Sequence, residues 1–156
     1  MAVDYMIGEL VQEVKTLKLY NDTTIIFWTD HGYKLGEHCD WFKHDNYEDS
    51  TRIVTIIKPA DGLISNMRPR GQIVEQMVEE VDIYPSLVAL HYGAAGVPVD
   101  LEGESWVPLL QLSGQGSPGK PRVFSQYPHS LTKGASTHGF KNESGPVMGY
   151  SMRTAE

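Results

Sequence analysis

One cysteine, Cys39, stands in 156 residues, so no internal disulfide framework holds this fold, and the redox compartment is left open. Basic residues are outnumbered, 13 to 20, and the net charge of -7 argues against a general nucleic-acid or anionic-membrane surface. It still leaves room for a local basic site. No apolar run approaches the roughly 18 to 20 residues of a transmembrane helix, and no charged start followed by an apolar core reads as a signal peptide. No internal repeat is present. The length suits one domain with a real core, since a domain of this size buries about 70% of the surface its unfolded chain exposes.

What is present begins with periodicity. Val3, Met6, Ile7, Leu10, Val11, Val14 and Leu17 recur at three- and four-residue steps, which predicts an amphipathic helix packed against a sheet, with Glu9, Glu13, Lys15 and Lys18 in water. The helix has almost no N-cap region, which suggests a truncated sequence. Leu19 to Asp22 supplies turn chemistry, and Thr23 to Trp28 is a buried-strand composition of β-branched and aromatic residues. Helix, turn and strand make the αβ half of a βαβ unit. Further on, Ser50 to Lys58 predicts a second strand, Leu63 to Gly71 an exposed loop, and Ile73 to Val78 a third strand. Asp82 is the N-cap candidate of a helix that ends at Gly93. From Ala94 to Arg122 glycine and proline dominate, and only Trp106 to Leu112 looks anchored to a core. Residues 113 to 119 read as a linker, and Val123 to Tyr127 and Val147 to Thr154 as two strands around a polar loop.

The stretch TDHGYKLGEHCDWFK, Thr29 to Lys43, closes the first strand and packs ionisable residues and glycine into one short loop. Asp30 and His31 therefore sit at a strand end, the place where open α/β sheets bind ligands. Asp30 is an anionic oxygen donor, and His31 supplies a neutral ring nitrogen to the same ion if the turn aims both side chains at one point. Otherwise the pair is an aspartate accepting loop N–H groups beside a solvated histidine. Donor softness alone leaves zinc or manganese open. Lys43, behind the bulk of Trp41 and Phe42, is either a surface charge or a point cation held against an anion. His38 and His44 flank it, either donating hydrogen bonds to an anion when protonated or packing the loop. Asn21-Asp22-Thr23 and Asn142-Glu143-Ser144 fit the N-glycosylation sequon.

TDHGYKLGEH followed by DWFK and YEDSTRI, then VDIYPSLVAL and GESWVPLL, resembles the sulfatases of the alkaline phosphatase superfamily, along nearly the whole chain. The tail, with SQYP and MGYSMRT, is most similar to family members that act on uronic-acid sulfates. The resemblance implies an α/β fold, part of a mixed and mostly parallel sheet flanked by helices and incomplete here. Residues 1-112 would be the second part of the catalytic domain, and 113-156 a linker and the start of a C-terminal subdomain. It implies calcium at Asp30 and His31, Lys43 on the sulfate, and a sulfated glycosaminoglycan as substrate, with no nucleic acid and no membrane span. It also implies a lysosomal or secreted protein.

Two departures concern the loop's shape: Cys39 stands where the family has glycine after GEH, and Arg52-Ile53-Val54 lacks the usual proline. The family's nucleophile is a formylglycine made from Cys or Ser, with Pro two residues on and Arg two beyond. Cys39 is followed by Asp40, Trp41, Phe42 and Lys43, and no other Cys or Ser fits. The nucleophile and the other aspartate pair of the metal site are thus expected from an N-terminal half outside this sequence, and this chain alone is expected to be inactive. Rival readings are a phosphodiesterase or phosphatase of the same superfamily and a noncatalytic sulfatase-like protein.

Overall fold

The computed structural model describes residues 2–112, 119–129 and 147–155. In chain order the elements are α1 (Ala2–Thr16), β1 (Ile25–Trp28), β2 (Lys34–Leu35), β3 (Trp41–Phe42), α2 (Glu48–Thr51), β4 (Thr55–Lys58), α3 (Ile83–Tyr92), α4 (Val107–Leu110), β5 (Arg122–His129) and β6 (Val147–Thr154). Among the described residues three strand pairs form: β1 with β4, β2 with β3, and β5 with β6, the last two antiparallel. Helices and small sheets are interspersed along the chain, a mixed α/β composition. The chain divides into two compact units. The first holds residues 1–26, 56–75 and 80–117, the second residues 27–55, 76–79 and 118–156.

In the first unit the core forms around α3. Asp82 is 1% exposed, and its carboxylate accepts the N–H of Glu104 at 2.8 Å and the indole N–H of Trp106 at 3.4 Å. It makes no side-chain cap bond to α3. Asp82 thus stands at the expected N-cap position but does not cap with its side chain, because distant N–H groups bind its carboxylate instead. Ser86 relays the tie, donating to the Asp82 carbonyl and accepting from the Trp106 N–H. Trp106, Leu109, Ala89, Leu90 and Ile64 of the same unit are buried, so the anchoring of 106–112 is found. Gly93, at φ 78, ends α3 in a conformation that disfavours a side chain. The 63–71 segment is less free than expected: Ile64 is buried, and Met67 bridges to Gln111.

Helix α1 forms where the periodicity puts it, yet none of its residues is buried. Ile7, Val11 and Val14 are half-buried, while Val3, Met6 and Leu10 are about two-thirds exposed. Packing of that stripe on a sheet is thus not found among the described residues. Lys58, on β4, reaches the carbonyl of Thr23 at 3.1 Å and that of Tyr20, and its ammonium lies 4.5 Å from the Tyr20 ring centroid.

The expected 50–58 strand is cut short. Ser50 and Thr51 belong to α2, because their N–H groups bond the Tyr47 carbonyl at 2.9 and 3.0 Å, and the strand starts only at Thr55. No strand forms at 73–78 either. The end of that segment is held by a side chain: Glu79 takes the ammonium of Lys120 at 2.5 Å and the N–H of Phe124 at 2.8 Å. The β5–β6 hairpin runs in register from Arg122↔Thr154 to His129↔Val147. Val123, Ser125 and Tyr127 alternate with the more exposed Arg122, Phe124 and Gln126, the period of two expected of a half-covered strand. The linker residues 113–118 and the sequon at Asn142 lie outside the described residues. Asn21 lies in an exposed turn.

Candidate metal and anion site

Strand β1 ends at Trp28, and the chain turns across Thr29 to Tyr33 before β2. Gly32 makes this turn fit: its N–H bonds the Ser50 carbonyl at 2.9 Å, and a Cβ there would lie 2.1 Å from the Asp49 carbonyl oxygen. Only glycine lets α2 come this close. The consequence is the orientation of His31. Its Nδ1 lies 2.7 Å from the Gly32 carbonyl oxygen. A carbonyl only accepts, so Nδ1 carries the proton, and in the neutral ring Nε2 keeps the lone pair.

That Nε2 lies 3.3 Å from Asp30 Oδ2. Two electron-rich donors facing each other repel unless a cation joins them or the imidazole is protonated, and an imidazole nitrogen beside a carboxylate oxygen is a donor set suited to a divalent metal. A second contact to the same oxygen comes from a cation, Lys43, whose ammonium lies 3.9 Å from Asp30 Oδ2. The structure thus brings Asp30, His31 and Lys43 together on one oxygen. Among the described residues no group of three or more His, Cys, Asp or Glu converges as a metal site.

His38 and His44 have partners inside the unit. His38 stacks on Tyr47, centroids 4.1 Å apart, and its Nε2 lies 3.3 Å from Asp49 Oδ2. His44 Nδ1 and the Tyr127 hydroxyl lie 2.7 Å apart, which ties the loop after β3 to β5. Arg153 on β6 pairs with Glu48 on α2, a second tie of the same kind.

Sequence reasoning missed Lys34. It is fully buried, and its ammonium is bound by Asp40 Oδ2 at 2.7 Å and by Asp45, itself only 9% exposed. Asp45 Oδ1 accepts the Tyr47 N–H at 2.9 Å. The hydrogen bond from Lys34, then that from the Trp41 N–H, holds the Asp40 carboxyl below the usual aspartate range. Glu37 is lowered too, chiefly by the Leu35 N–H and then by its own. The available signal was a lysine between Tyr33 and Leu35 on a short strand, with carboxylates six and eleven residues later. The loop also carries backbone strain: His38, Cys39 and Phe42 have φ of 57, 58 and 79, in the left-handed region that non-glycine residues avoid.

The sulfatase family model matches residues 1–94. Mouse iduronate 2-sulfatase is 28% identical over 195 aligned positions, covering 99% of this chain and 34% of that protein. Dog arylsulfatase K is 34% identical over 106 positions, covering 68% of this chain and 18% of that protein. Among solved structures, one in complex with its substrate D-glucosamine-2-N,6-O-disulfate superposes with a TM-score of 0.73 at 26% identity, covering 98% of this chain and 28% of the other. The phosphonate monoester hydrolase of Silicibacter pomeroyi superposes with a TM-score of 0.67 at 29% identity, covering 81% of this chain and 23% of that one. The chain belongs to the sulfatase family, a family of sulfuric ester hydrolases, and has its α/β fold. It spans about a third or less of the length of these relatives.

Proposed function

We propose that this chain is the part of a metal-dependent sulfatase that supplies the second metal motif and the sulfate-contacting lysine. The observation that carries the reading is the sharing of Asp30 Oδ2 by His31 Nε2, at 3.3 Å, and Lys43 Nζ, at 3.9 Å. Asp30 and His31 are the proposed metal ligands, and calcium is the proposed ion, within a family that is generally metal-dependent. When bound, a divalent cation neutralises charge on sulfuryl oxygens and favours the ionised form of an attacking hydroxyl.

The chain's own residues do the rest of what is proposed here. The Gly32 carbonyl fixes the His31 tautomer, keeping Nε2 free of a proton and aimed at Asp30. Lys43 places an ammonium where a sulfate oxygen gains negative charge as the ester S–O bond breaks. His38 and His44 line the approach as polar groups held by Asp49 and Tyr127. The nucleophile, a formylglycine in this reading, comes from residues other than these 156, since no Cys or Ser here sits in the modification motif.

The proposed substrate is a sulfate ester on a uronic acid of a glycosaminoglycan. Support comes from similarity to iduronate 2-sulfatase over 99% of the chain; a structural relative holding a sulfated glucosamine supports the broader class. Passage through the secretory route to a lysosomal or extracellular site, with glycosylation at Asn21 or Asn142, belongs to the same reading. The phosphonate monoester hydrolase relative favours one alternative, a superfamily enzyme acting on phosphorus esters.

The test uses an enzyme in which this chain is joined to a segment bearing the modification motif. Lys43→Met should lower kcat/KM for a uronate sulfate by about 30- to 1,000-fold, the 2 to 4 kcal/mol of a charge-assisted contact that strengthens in the transition state. Melting temperature and metal content should hold. Unchanged kcat/KM removes Lys43 from the site, and faster turnover of a phosphonate monoester than of any sulfate favours the alternative.

A further inference from the structure

We infer that Lys34 is a positioning residue for Lys43, acting through the backbone of the segment between Asp40 and Asp45; the inference rests on the sulfatase reading. Lys34 on β2 lies opposite Phe42 on β3, and its buried ammonium takes a carboxylate from just before β3, Asp40, and one from just after it, Asp45. A single cation thus closes both ends of the segment that carries Lys43. Asp45 extends the closure in two ways. Its N–H bonds the Lys43 carbonyl at 3.0 Å, and its Oδ1 takes the Tyr47 N–H at 2.9 Å.

The segment needs this closure because Phe42, immediately before Lys43, sits at φ 79. A phenylalanine there relaxes toward extended backbone unless its surroundings hold it. Relaxation about that one torsion would rotate the following residue, and the ammonium of Lys43 would leave Asp30 Oδ2. Half-exposed itself, Lys43 has no comparable burial to hold its direction. The buried pair two positions away supplies what its own environment does not.

The experiment compares Lys43→Met, the combined Lys34→Met with Asp45→Asn, and all three changes together, in the joined enzyme. The combined change removes both buried charges at once, because Lys34→Met alone strands a carboxylate and risks unfolding. Asparagine keeps an acceptor for the Tyr47 N–H. A positioning role predicts that the paired change lowers kcat/KM by about 10- to 100-fold and adds nothing further on top of Lys43→Met. Losses that multiply would mean that Lys34 acts only through general stability, and would overturn the inference. A second reading comes from the three-bond coupling between the amide and α protons of Phe42, which reports φ in the 156-residue chain. It should move to the extended value in the paired variant; an unmoved coupling also overturns the inference. Unchanged kcat/KM in Lys43→Met strikes at the sulfate contact instead, and the Phe42 coupling tells the two failures apart.

Discussion

Lys34 and Asp45 form an ion pair inside the second unit, with the lysine wholly withdrawn from water and the aspartate 9% exposed. Such a pair contributes little net stability compared with apolar residues of the same shape, but breaking one partner leaves a charge with no solvent and no counterion. Lys34→Met should therefore cost about 3 to 5 kcal/mol, while Lys34→Met with Asp45→Asn should cost much less. Urea melts of the three proteins check this. A double variant as unstable as the single one would contradict it.

Cys39 is exposed and has φ 58, at the position where the resemblance expects glycine. Left-handed backbone costs a non-glycine residue about 1 to 2 kcal/mol, and glycine gives back part of that through its unfolded-state entropy. Cys39→Gly should gain about 0.5 to 1 kcal/mol, or roughly 1 to 4 °C in Tm for a chain of this size. Cys39→Ala, with the same backbone demand, should gain nothing. Equal Tm for the two variants would show that the torsion carries no strain.

Asp40 titrates below the usual aspartate range because Lys34 and the Trp41 N–H favour its charged form, with His44 a smaller contribution. A carboxylate depressed in the folded state contributes stability above its unfolded pKa and loses it as pH falls through its folded pKa. Stability should thus decline in acid, below about pH 4. Asp40→Asn should flatten that decline while leaving the protein less stable near neutrality. Urea midpoints across the acid range decide the matter, and parallel profiles for wild type and variant would refute it.

With one carboxylate and one imidazole at the proposed metal site, against the six to eight oxygens calcium takes, the chain by itself should bind calcium weakly, with Kd near or above about 1 mM. It should show no turnover of an aryl or uronate sulfate. Calorimetry and a sulfate-release assay test the two halves. A tight stoichiometric titration abolished by Asp30→Ala would mean that no further ligands are needed.

The three- and four-residue spacing located α1, and the β-branched run located β1, because both are local patterns. The hairpin strands at 122–129 and 147–154 were legible for the same reason, as was the stop at Gly93. What the sequence hid was decided at a distance. Ser50 and Thr51 look like strand residues, but the Tyr47 carbonyl and the close approach of Gly32 wind them into α2. Ile73 is β-branched, yet it stays 85% exposed and no strand pairs with its segment among the described residues. The motif singled out Asp30, His31 and Lys43, and the structure brings these three side chains together on one oxygen. Lys34 was overlooked because burial of a lysine depends on two carboxylates arriving from later in the chain.

The position of Asp30 Oδ2 between His31 and Lys43 also shapes how this loop tolerates change. Both neighbours lean on one oxygen, so losing Asp30 strips the context of the other two at once. On the proposed metal and sulfate roles, changes at His31 and Lys43 should become nearly silent for catalysis in an Asp30→Ala background. With Asp30 in place, each is exposed to selection separately. On that reading the order in which mutations arrive matters, and a lineage that loses Asp30 first would give up the other two without further penalty.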